Sequence, residues 1–377
     1  MIIDRAGPDG AGRPFVSTGR LPPSPVVADL IRQAHRRYAP DDRGSLSAVY
    51  PALTRVRPDL FGVAATGTAG DGYAAGDADV QFSIMSIAKP FVFALVCDAL
   101  GVEQARLAIG VNATGRAFNS LAAVEHGPAG RTNPMVNPGA IATTSLAPGA
   151  TPDDRWGFIV AGLSRFAGRP LSLDAEMYAS ASRSNQRNRA MVHLLDGLGG
   201  LGCDATEALD AYTRQSALLV SARDLAVMGA TLADGGLNPI TGVQVLGARS
   251  CRCALAVMTT AGLYETSGDW LYDVGLPGKS GIGGGIVTVS PGKGGLGTFA
   301  PLLDEAGNSV KGQLAAAFLS RRLGLDLFAS QPAAGSSQPA GGSSQPAGGS
   351  SQPAAGSEPP DERDQPDGDH HEPDDHG

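Results

Sequence analysis

Apolar residues first recur at helical spacing at Val27, Leu30, Ile31 and Ala34, which predicts an amphipathic helix over Pro25 to Tyr38. Two short strand-like runs follow, Phe61 to Thr68 and Gly72 to Ala75. They flank Gly70-Asp71-Gly72, where Asp-Gly supplies the positive φ that a tight hairpin turn demands. Ile84 to Leu100 is almost unbroken apolar sequence ending at Gly101, the pattern of a buried helix with a glycine stop. Helical spacing then dominates from about 102 to 237, interrupted by polar loops such as Ala181 to Arg189. Trp270 to Val274, Gly285 to Val289 and Gly297 to Pro301 predict three strands joined by glycine-rich turns, and Val310 to Leu323 predicts a closing helix. Strands at both ends of the body with helices between them predict an α+β fold, a sheet domain carrying an inserted helical domain. Clefts in such two-part bodies commonly house active sites.

The rest of the chain has a different pattern. Residues 1–24 read as an N-terminal extension, 25–329 as one globular body and 330–377 as a tail. Four heptads starting at Gln331, Gln338, Gln345 and Gln352 repeat Gln-Pro-Ala, then small and polar residues. They lack the apolar seam of a coiled coil and offer nothing to bury against the entropy of ordering, so a disordered linker is predicted. The net charge of −8 resides from Glu358 onward, where acids far outnumber the single base Arg363. The remainder is balanced, which argues against a nucleic-acid partner. His370, His371 and His376 lie among those acids, in what reads as a solvated tail rather than a metal site. No membrane span or secretory leader is evident. Cys97, Cys203, Cys251 and Cys253 show neither a disulfide framework nor zinc spacing, so a cytoplasmic location is expected, with no metal and no cofactor.

Chemistry is suggested by the lysines, of which there are only four: Lys89, Lys279, Lys293 and Lys311. Ser86 and Lys89 form a Ser-x-x-Lys pair opening the long apolar helix. Residues three apart share a helix face, so the amine can reach the hydroxyl, and burial together with a nearby cation would keep it unprotonated. Pro90 is tolerable so early in a helix. Lys279-Ser280-Gly281 precedes a strand, as the Lys-Thr-Gly element does in penicillin-recognising enzymes. Those enzymes also need a Ser-Asp-Asn or Tyr-x-Asn element, and none stands in suitable context. A phosphate-binding loop fails too, because Asp273 occupies the position of its first glycine.

A specific resemblance is carried by segments in a fixed order. They include Asp59 to Ala64, Gly76 to Ser83, Phe118-Asn119-Ser120, Asn133 to Ile141, Arg187-Asn188, Tyr212 to Gln215, Asp224 to Met228, Gly235 to Pro239, Gly262 to Gly268 and Gly275 to Gly281. Together they resemble the glutaminase family from about Gly44 to Leu323. The resemblance implies a serine β-lactamase/transpeptidase-like fold, an antiparallel sheet flanked by helices. It further implies hydrolysis of L-glutamine to L-glutamate and ammonia through an acyl-enzyme, and a homo-oligomer. Matched residue by residue, Ser86 becomes the nucleophile, Lys89 its base and Tyr264 the hydroxyl that relays protons to departing ammonia. The backbone N–H groups of Ser86 and Ile282 become the oxyanion hole, and Asn137, Asn188 and Tyr212 become substrate-binding residues.

Three pocket positions depart from the family pattern. Valine stands at 49 where a tyrosine is expected, Met85 replaces a glutamine, and Ala181 replaces the glutamate expected to meet the substrate's ammonium group. Losing such a charge partner typically costs about 2–5 kcal/mol of binding. Two alternatives to an ordinary glutaminase follow: an amidohydrolase for amides without a free α-amino group, and a catalytically silent relative that binds a ligand or partner.

Overall fold

A computed structural model describes residues 21–329. The Gln-Pro-Ala repeats, the acidic histidine-containing end and most of the N-terminal extension lie outside the described residues. The elements run α1 (Ser24–Tyr38), β1 (Gly62–Gly67), β2 (Gly72–Gly76), β3 (Phe82–Ser83), α2 (Ala88–Leu100), α3 (Val102–Ile109), α4 (Leu121–His126), α5 (Asn137–Ser145), α6 (Pro152–Ala167), α7 (Ala175–Ser184), α8 (Gln186–Gly197) and α9 (Ala205–Ser216). They continue with β4 (Leu219–Val220), α10 (Ala222–Ala233), α11 (Ala248–Ala261), α12 (Ser267–Val274), β5 (Gly278–Ser280), β6 (Gly285–Ser290), β7 (Gly294–Phe299) and α13 (Val310–Leu323).

Five strands form an antiparallel sheet in the order β2-β1-β7-β6-β5. Side chains alternate across it, as strand geometry requires. Val63 and Ala65 join the core made with Val27, Ile31 and Leu319 of α1 and α13, whereas Ala64 and Val287 join the core on the opposite face. That opposite face is covered by α10, and the contact explains the glycines of β7. A Cβ at Gly297 would lie 2.0 Å from the Ala222 carbonyl oxygen, and one at Gly295 2.4 Å from that of Ala226. Helix backbone rests directly on strand backbone there. Helices α2 to α9 form the inserted domain. Its central member, α2, is buried continuously from Ala88 to Cys97, as a helix apolar nearly all round must be, and Lys89 is buried with the rest.

The α+β class, the N-terminal helix, the first hairpin and the closing helix agree with the pattern of apolar positions. Trp270 to Val274 does not form the expected strand but lies inside α12. Trp270 and Val274 are buried four residues apart while Tyr272 and Asp273 face solvent, so the run is helical with one buried face. The third strand is instead β5, so Lys279 and Ser280 lie within a strand rather than before one. The last predicted strand begins earlier, at Gly294. The run from Ile84 is also divided: a single 3₁₀ turn, Met85–Ile87, precedes α2.

Candidate active site

Ser86 occupies that 3₁₀ turn between β3 and α2. The turn is held from two sides. The Ile84 N–H donates to the Leu218 carbonyl at 2.8 Å, and β3 pairs with β4. On the other side the Gly281–Gly284 turn joining β5 to β6 packs so closely that a Cβ at Gly283 would approach the Ser83 carbonyl oxygen to 2.9 Å. Met85, next to the serine, has φ of 51°, and Tyr264 has φ of 55°. Left-handed backbone costs a non-glycine residue roughly 1–2 kcal/mol, and it persists only where surrounding packing dictates it. Both residues are buried, Met85 against Leu53, Met177 and Ala217.

Lys89 is buried, and its Nζ donates to the Met135 carbonyl (3.2 Å) and to Asn137 Oδ1 (2.7 Å). Burial alone lowers its pKa to about 7. No hydrogen bond between Lys89 Nζ and Ser86 occurs among the described residues. Asn137 is the hub of a polar chain. Its Oδ1 also accepts from the Tyr212 hydroxyl (3.2 Å), and its Nδ2 donates to Asn188 Oδ1 (3.0 Å). The Tyr212 phenol is raised well above its ordinary pKa, first by burial and then by the neighbouring Tyr50 and Tyr264.

The Tyr264 hydroxyl donates to the Ser280 carbonyl (3.3 Å). Burial pushes its pKa up to about 12 against a lowering contribution from the Ser86 hydroxyl, which places Ser86 beside the phenol. Phe118 packs on the same ring, with centroids 4.5 Å apart, and the Phe118 N–H donates to Glu265 Oε1 (3.2 Å). The Ile282 N–H, in the β5–β6 turn, has no backbone acceptor among the described residues. Ser86, Lys89, Asn137, Asn188, Tyr212, Tyr264 and Ile282 are thus gathered at the seam between sheet and helical domain.

The departures at 49, 85 and 181 take a clearer form. Tyr50 is extended, so its side chain points opposite to its neighbour's. Val49 is 55% exposed, while Tyr50 lines a small cavity with Met85, Met177, Ala181, Asn185 and Tyr212. The expected valine in the pocket is therefore corrected to a tyrosine one residue on. Met85 and Ala181 line the same cavity. Sequence reasoning missed Tyr50 because matching by position ignores the alternation of an extended segment. It also missed how closely Lys279 approaches Tyr264: its Nζ lies 4.3 Å from the ring centroid. The scarcity of lysine was the one signal available for it.

No cluster of three or more His, Cys, Asp or Glu that could hold a metal ion occurs among the described residues, nor is any helix among them long and apolar enough to cross a membrane. A wider groove between α12 and α13, lined by residues including Asp269, Asp304 and Arg321, contains none of the expected site residues.

The Glutaminase family model matches residues 44–328. Glutaminase 2 of Yersinia pestis is 64% identical over 318 residues, which span 84% of this chain and 94% of the relative. The glutaminase of Mycobacterium ulcerans (strain Agy99) is 46% identical over 302 residues, 80% of this chain and 94% of the relative. Among solved structures, the probable glutaminase ybaS has a TM-score of 0.80 at 41% identity, covering 81% of this chain and 99% of that one. A Bacillus glutaminase has a TM-score of 0.72 at 28% identity, covering 81% and 100%. Fold, segment order and similarity along nearly the whole length of these relatives agree: the chain belongs to the glutaminase family.

Proposed function

We propose that the chain hydrolyses the side-chain amide of L-glutamine through an acyl-enzyme on Ser86, with Lys89 as the base. The observation that carries this reading is the pairing of the Lys89 amine. An uncharged amine has two N–H groups and one lone pair. The Met135 carbonyl and Asn137 Oδ1 engage two donors, which leaves the lone pair for the Ser86 proton. The oxygen then attacks the amide carbon while the Ser86 and Ile282 N–H groups receive the developing oxyanion. The proton on Lys89 passes by way of the Tyr264 phenol to the departing nitrogen, which leaves as ammonia. Water repeats the sequence on the ester, releasing the acid and restoring Ser86.

Hydroxylamine added during turnover tests this, since it competes with water for an acyl-enzyme and yields a hydroxamate. Wild type is expected to form glutamyl hydroxamate and Ser86→Ala none. Hydroxamate from the Ser86→Ala protein would remove Ser86 from the mechanism. By resemblance, the enzyme is further read as a cytoplasmic homo-oligomer, the latter checked by light scattering.

A second reading concerns the substrate, and it is favoured by the lining of the Tyr50–Met85–Ala181 cavity, which contains no carboxylate. The nearby acids are engaged elsewhere. Asp174 accepts from Ser83 and Met177, Glu176 pairs with Arg55 at the surface, and Asp210 accepts from Tyr178 and Arg214. The cavity, about 10 Å³, is too small to admit an ammonium group, and its lining offers no counter-ion to one held beside it. Under this reading the better substrates are amides without a free amino group. The comparison is between glutamine and glutaramate, the same molecule without its ammonium; equal or better kcat/KM with glutamine would dismiss it.

A further inference from the structure

Lys279 is a buried amine for which the hydrolysis outlined above has no assigned task. It lies on β5, fully shielded from solvent. Its Nζ makes no ion pair among the described residues and donates to the Ser280 carbonyl at 2.7 Å. That carbonyl also accepts the Tyr264 hydroxyl. One backbone oxygen therefore fixes both the tip of the phenol and the amine that lies against its ring. The charged or titratable groups around it are Lys89, facing from α2, and Tyr264; Glu265 and Asp304 act on the tyrosine instead.

Such a slot is a poor place for an amine if stability were its only purpose. A buried cation without a counter-ion is costly, and an apolar chain of similar length would fill the space without that cost. Burial, reinforced by the charge of Lys89, holds the Lys279 amine well below its ordinary pKa. In that uncharged state it can still donate to Ser280 without placing a second cation beside the base.

We propose that Lys279 is a positioning residue, holding the Tyr264 ring through the shared Ser280 carbonyl at the place from which the phenol protonates the departing ammonia. The inference rests on the Ser86 acyl-enzyme reading and on the relay role given there to Tyr264. It has a consequence that a merely structural role does not share. A leaving group that departs readily without a proton, such as 4-nitrophenolate, does not need the relay, whereas ammonia does.

The test is Lys279→Met in the full chain, assayed with glutamine and with the γ-(4-nitrophenyl) ester of glutamate. Taking kcat/KM confines both measurements to steps up to acylation. The ratio of amide to ester activity is expected to fall at least tenfold from wild type, with a thermal midpoint no lower than that of wild type. A smaller fall in the ratio overturns the proposal, because amide and ester would then suffer alike. If Lys279→Met does not fold, Lys279→Leu decides by the same ratio and threshold. Wild type inactive on both substrates would defeat the Ser86 reading and this inference together; wild type active on both, with the ratio preserved in the variant, defeats the inference alone.

Discussion

The contact between α10 and β7 and the seam around Ser86 are built on opposite terms. In the first, glycines let backbone rest on backbone and the layers are apolar on both sides. In the second, two non-glycine residues hold left-handed backbone, two buried lysines lack counter-ions, and the buried Ser280 hydroxyl has no hydrogen-bond partner among the described residues. The first arrangement favours the folded state. The second weakens it in return for a hydroxyl, an amine and a phenol placed together. Stability and chemistry are therefore separable by mutation.

The largest effect expected is on the chemical side. Ser86→Ala should lower the rate of ammonia release by ~10⁴-fold or more while leaving the thermal midpoint unchanged or slightly raised. Residual activity within tenfold of wild type would break the division. Gly297→Ala should do the reverse. Its methyl must displace the Ala222 carbonyl, so a loss of about 2–3 kcal/mol in denaturant unfolding is expected, with kcat nearly unchanged in the fraction that remains folded.

Next come the effects of pH. As the proposed base, Lys89 acts unprotonated, so kcat/KM should fall roughly tenfold per unit as pH drops below about 7. The same amine has an ordinary pKa near 10.5 once unfolded. Between the two values the unfolded chain binds the extra proton, so stability should rise with pH there, by up to about 1.4 kcal/mol per unit for each such lysine. Above about pH 9 the buried thiols of Cys97 and Cys251, whose pKa values are raised to about 12 mainly by burial, oppose that trend. Denaturant titrations at pH 7 and 8.5 would detect the rise, and Lys89→Met should make it shallower, with Lys279 still contributing. The smallest effect belongs to the tail: truncation after Ala329, just past the last matched family position, should leave the thermal midpoint within about a degree.

Much of this organisation was legible in the order of residues. Helical spacing identified α1 and α13; the first hairpin lies where Asp-Gly marked it, but its positive φ falls on Gly70, and Gly72 already belongs to β2. Trp270 to Val274 was misread since a five-residue apolar run is compatible with strand and helix alike. Only the packing of Trp270, whose indole N–H reaches the Leu276 carbonyl at 2.7 Å, settles it as helical. At the site, Ser86, Lys89 and Tyr264 could be singled out from their segments as candidates. The direction of Tyr50 and the closeness of Lys279 to Tyr264 depend on tertiary contacts between distant segments, and spacing carries no record of those.

Phe118 illustrates how far one such contact extends. It belongs to the helical insert, yet its ring lies on Tyr264 and its N–H is tied to Glu265, both from the segment that leads into the sheet. Widening the mouth of the cleft along this line means peeling one aromatic ring from the other and breaking that tie. The helical insert and the segment carrying Tyr264 are therefore latched together at this point, and any separation of the two costs a ring contact and a hydrogen bond at once.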